Sequence, residues 1–66
     1  MNQEQETLKE YKIKSYNLAM QILKNPHKAL KWLKTPNPQL GDISPDDMIN
    51  LGKGEKLINF MEELLK

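Results

Sequence analysis

The 66-residue sequence predicts an all-α fold, a small four-helix domain with one long N-terminal helix and three shorter helices behind it. Three observations support this. Apolar residues recur at spacings of three and four, and no stretch alternates in the way a half-buried strand requires. Asn25-Pro26 and Ser44-Pro45 each place a capping side chain before a proline, the usual opening of a helix. Pro36, Pro38, Gly41 and Gly52 fall between the periodic segments, where helices must stop.

The first helix occupies a stretch without Pro or Gly from Glu4 to Lys24. Leu8, Tyr11, Ser15, Leu18 and Ile22 form its stripe, flanked by Ala19 and Leu23, while Ile13 and Met20 lie off it and widen the apolar surface. Asn25 then caps a short helix whose buried face is Ala29, Leu30, Trp32 and Leu33, and the two prolines of Thr35-Pro36-Asn37-Pro38 end it. Ser44 caps the third, its oxygen placed to accept from the N–H of Asp47, with Asp46 and Asp47 at the positive helix end. Met48, Ile49 and Leu51 make its apolar side, Gly52 closes it as a left-handed cap, and Gly54 frees the turn that follows. Leu57, Ile58, Met61, Leu64 and Leu65 form the stripe of the last helix. The chain reads as one domain over residues 1–66, divided into an N-terminal helix at 1–24 and motif-bearing helices at 25–66.

Composition narrows the function. With 38% apolar residues and no cysteine, the chain has a thin core, no disulfide and no thiolate for zinc or nucleophilic chemistry, so an association interface is expected. Ten lysines, no arginine and nine acids give a net charge of +1, too near neutral to steer the whole molecule toward nucleic acid or an anionic membrane. The charge is unevenly spread: residues 9–34 hold seven lysines against Glu10, whereas residues 35–66 hold six acids against three lysines. The longest uninterrupted apolar run is the three residues Leu18 to Met20, which excludes a membrane span and a secretory signal, and a cytoplasmic protein is expected.

No catalytic, cofactor-binding or metal-binding set emerges. Gly52-Lys53-Gly54-Glu55-Lys56 lacks both the preceding strand and the closing Lys-Ser/Thr of a phosphate-binding loop, so it reads as a cap and a turn. Asp42, Ser44, Asp46 and Asp47 lack the glycine and glutamate spacing of a calcium loop. His27 is the only histidine and sits in a first helical turn, where positive charge is disfavoured. Lys24, Lys28 and Lys31 share a face with Lys34 nearby; a solvated face is the simpler account than phosphate contact. Met20, Met48 and Met61 sit at core spacing, which favours gap filling over an adaptable binding surface, and Trp32 is assigned to the core, with an interface anchor as the alternative.

The ordered run Ala29-Leu30-Lys31-Trp32-Leu33-Lys34-Thr35-Pro36-Asn37-Pro38-Gln39-Leu40-Gly41, then Ser44-Pro45, then Leu51-Gly52-Lys53-Gly54, resembles the toxin-binding domain of the Xre/MbcA/ParS-type bacterial antitoxins. The resemblance covers about residues 18 to 66. In it Trp32, Leu33, Pro36, Asn37, Leu40, Gly41, Ser44 and Pro45 form the motif scaffold: Trp32 and Leu33 bury the second helix, Pro36 stops it, Asn37 and Gly41 permit the turns, and Ser44-Pro45 launches the next helix. The likeness implies an antitoxin whose partner is a RES-domain toxin, a class that acts on NAD, inhibited by occlusion. This sequence has Gly41-Asp42 where the family commonly has Gly-Gly, and Pro45-Asp46-Asp47-Met48-Ile49 in place of a Pro-x-Asp-Leu-Leu-like helix start. No helix-turn-helix domain of the kind that typically precedes this region in the family is expected, nor a tail beyond the last helix.

The expected function is therefore stoichiometric binding of a toxin, without catalysis. Gly52, Lys53, Gly54, Lys56 and Phe60 are the expected contact residues, Phe60 because it lies off the last helix's stripe. A homodimer is expected through Leu8, Tyr11, Leu18 and Ile22. Two alternatives stand beside this: a nucleic-acid-associated protein using the lysine strip, and a dimerising adaptor for a non-toxin partner.

Overall fold

The computed structural model describes residues 3–66, with side chains from residue 8 onward. Met1 and Asn2, and the side chains before Leu8, lie outside the described part. Four α-helices follow in order, α1 (Gln3–Leu23), α2 (Pro26–Lys34), α3 (Pro45–Asn50) and α4 (Gly54–Leu64), with a 3-10 turn at Pro38–Leu40 between α2 and α3. Among the described residues there is no strand; one isolated antiparallel bridge pairs Asn37 with Ile43.

Local chemistry sets these boundaries. The Asn25 side chain accepts from the Lys28 N–H at 3.0 Å, and the Ser44 hydroxyl accepts from the Asp47 N–H at 3.1 Å, each ahead of a proline at the first helical position. Thr35, held extended before Pro36, ends α2 and donates its hydroxyl to the Lys31 carbonyl at 2.6 Å. At the end of α3, Gly52 adopts φ +82°, its N–H donates to Ile49 O at 3.0 Å, and the Lys53 N–H donates to Met48 O at 2.8 Å. That pair of bonds is the Schellman closure, which satisfies two carbonyls the helix leaves open.

The end of α1 has no glycine, and the sequence does not announce it. Lys24 takes the left-handed conformation, φ +56°, with its N–H donating to Met20 O at 2.7 Å. A side chain there carries a penalty of roughly 1–2 kcal/mol, partly offset because glycine loses more freedom on folding. Lys24→Gly is expected to raise stability by about 0.5–1 kcal/mol, read as a higher urea midpoint at unchanged slope. A lower midpoint would contradict the left-handed joint.

The core is α1 laid across the other three helices. Ala29, Ile49, Leu57 and Met61 are its most deeply buried apolar residues, joined by Leu18, Ala19, Leu33, Met48 and Ile58. Ser15 is fully buried as well, its hydroxyl donating to the Lys12 carbonyl at 3.0 Å, so the polar group on the inner face is satisfied.

Several expected positions need correcting. The stripe Leu8, Tyr11, Leu18 and Ile22 is packed into or against this core and is not a free dimer face, because α2, α3 and α4 all pack against α1. Leu30 and Leu51, expected inside, are 47% and 62% exposed, and Leu64 and Leu65 also stand out from the surface. Helical periodicity continues past the point where a neighbouring helix covers it: the contribution of α4 to the core ends at Met61. Trp32 is half-buried against the core.

Candidate functional site

Asn37 builds one wall of the site. Its backbone is extended, φ −122° and ψ 121°, so it serves the turn by hydrogen bonding rather than by left-handed freedom. Its carbonyl accepts from the N–H groups of Leu40 at 2.9 Å and Asp42 at 3.0 Å, its N–H donates to Ile43 O at 3.0 Å, and its side chain accepts from the Gln39 N–H at 2.9 Å. Gly41 and Asp42 follow with φ +85° and +65°, both left-handed, the second occupied by one of the few side chains that tolerate it. The pinned loop presents Leu40 and Ile43 to α4 across a shallow hollow of about 340 Å³, where Lys53, Lys56 and Phe60 meet them above Met48.

The structure thus brings together three of the expected contact residues. Lys53 and Lys56 are exposed, and Phe60 is half-buried, packed against the core and lining the hollow. Gly52 is exposed beside them. Gly54 is different: it is buried under the Tyr11 ring, and a Cβ built on it would stand 2.6 Å from two ring carbons. Its role is close helix approach, not the freeing of a turn or contact with a partner. Of the scaffold residues, Leu33, Ser44 and Pro45 are buried, Trp32, Asn37 and Leu40 are half-buried, and Pro36 and Gly41 lie on the surface.

The hollow combines two ammonium groups with apolar loop residues and one aromatic, a composition suited to gripping a protein surface. Among the described residues no group of three or more His, Cys, Asp or Glu side chains is placed to hold a metal ion. Nor is any helix long and apolar enough to cross a membrane. The lysine strip is divided: Lys28 and Lys31 flank Trp32, whereas Lys34 turns toward Lys9 and Lys12 on α1. Sequence reasoning missed Leu40 and Ile43 as companions of Phe60, since only the folded loop carries them to α4.

A pinned loop, a proline-started α3 and a short turn into α4 define a small helical binding module. The family model of the antitoxin Xre/MbcA/ParS C-terminal toxin-binding domain matches residues 18–58, more than half of the chain, and the chain belongs to that family. No curated protein matches it, and no solved structure does.

Proposed function

We propose that the chain is an antitoxin that binds and neutralises a RES-domain toxin acting on NAD, by stoichiometric coverage of the toxin and without catalysis of its own. The observation that carries this reading is the toxin-binding family match over residues 18–58, which spans the pinned loop, α3 and the first turn of α4. The contact face is the hollow of Lys53, Lys56 and Phe60, with Leu40 and Ile43 beside them and Phe60 just beyond the matched segment. Its charge suits an acidic rim on the toxin, and the Phe60 ring supplies an apolar anchor.

The test is co-purification with a cognate RES-domain toxin, together with the rate at which that toxin consumes NAD. The wild-type chain is expected to suppress NAD loss in proportion to the complex formed. Phe60→Ala and Lys53→Glu are each expected to weaken binding by about tenfold or more, on the order of 1.4 kcal/mol. Lys53→Glu sets a carboxylate at the start of α4, where the helix dipole favours it, so its effect is not one of unfolding. If both variants bind as tightly as wild type, the face is wrong; if no RES-domain toxin binds, the function is.

A further inference from the structure

A second groove lies between α1 and α2, and it shares no residue with the hollow of Lys53, Lys56 and Phe60. Ile13 and Leu30, 53% and 47% exposed, stand on opposite walls, with the half-buried Tyr16 between them. The groove is open to solvent and holds about 570 Å³. Lys9 and Lys12 from α1 and Lys34 from α2 rim it, against Asp46 as the one carboxylate among the described residues.

From this arrangement we infer that the groove docks an amphipathic helix of another protein, one with an apolar face flanked by carboxylates. The walls are two helices and offer no strand edge, so the occupant lays a helix face into the gap rather than adding a strand. The apolar lining requires an apolar counterpart, which a bare phosphate backbone lacks. The three lysines select acidic flanks. A second copy of the chain fits poorly: a two-fold contact through this face would set Lys9, Lys12 and Lys34 against their own equivalents, six ammonium groups facing two Asp46 carboxylates among the described residues. The inference stands apart from the toxin reading and uses none of its contact residues.

The test uses the full 66-residue chain and a fluorescein-labelled synthetic helical peptide of about 14 residues, or four turns, with leucines along one face and glutamates beside them. Its control replaces every glutamate with lysine. The acidic peptide is expected to bind about tenfold or more tightly than the basic one at low salt, the difference narrowing as salt screens the rim. Leu30→Gln and Ile13→Gln are expected to abolish binding, Lys12→Glu to erase the preference for the acidic peptide, and Leu51→Gln, an exposed leucine outside the groove, to change neither. Ile13 and Leu30 are about half exposed, so their substitution leaves the core filled, and circular dichroism verifies the fold of each variant. The inference is overturned if neither peptide binds, if both bind alike, if Leu30→Gln binds normally, or if duplex DNA displaces the acidic peptide. Self-association of the unliganded chain that Leu30→Gln abolishes would assign the groove to a second copy and overturn it equally.

Discussion

Leu57→Ala is expected to destabilise the domain by about 2–5 kcal/mol, the range for removing a leucine side chain from a packed interior. Leu57 has no solvent exposure and belongs to the central cluster. A domain of this length has a total stability of roughly 3–10 kcal/mol, at about 0.05–0.15 kcal/mol per residue, so the loss takes a large share of it. Urea unfolding followed by circular dichroism is expected to show a much lower midpoint, or a chain already partly unfolded in buffer. A loss under about 1 kcal/mol would mean that α4 does not seat Leu57 as described.

Gly54→Ala is expected to destabilise by roughly 1–3 kcal/mol, the usual range for overpacking, although alanine is the better helix former by up to about 1 kcal/mol. The sign is decided by Tyr11. The added methyl would meet two ring carbons at 2.6 Å, and these belong to the base of the ring, which cannot swing aside like the tip of a flexible chain. Tyr11→Ala removes the obstacle, so adding Gly54→Ala to that background is expected to be neutral or stabilising. A double-mutant cycle measures the coupling between the two positions. If Gly54→Ala stabilises the wild-type chain, the close approach of α1 and α4 is refuted.

What the sequence made legible follows from how far each signal reaches. The caps at Asn25 and Ser44 and the closure at Gly52 depend on groups within about five residues, so composition and spacing were enough to place them. Leu30, Leu51 and Leu64 were misplaced because periodicity identifies a face and says nothing of where a neighbour stops covering it. The same limit turned the Tyr11–Leu18–Ile22 stripe into an expected dimer face when the fold needed it within one chain. Lys24 carries no local mark of a left-handed joint, and Gly54 read as a turn residue because its partner Tyr11 lies far away along the chain. In the candidate site, Lys53, Lys56 and Phe60 fall together by helical spacing alone. Leu40 and Ile43 reach them only through the Asn37 bonds, which no periodicity describes.

The placement of Trp32 has a practical consequence. It is the sole indole of the chain and sits at the joint of α1 and α2 beside Leu23 and Thr35, lining neither the Phe60 hollow nor the Leu30 groove. Excited at the red edge of its absorption, where tyrosine is silent, it emits from that joint alone. Melting moves the indole into water and shifts its colour, whereas a ligand in the Phe60 hollow meets none of the residues around the indole. The molecule thus carries a dye that reports its integrity, so loss of fold and loss of binding in the Phe60 hollow can be told apart in one cuvette.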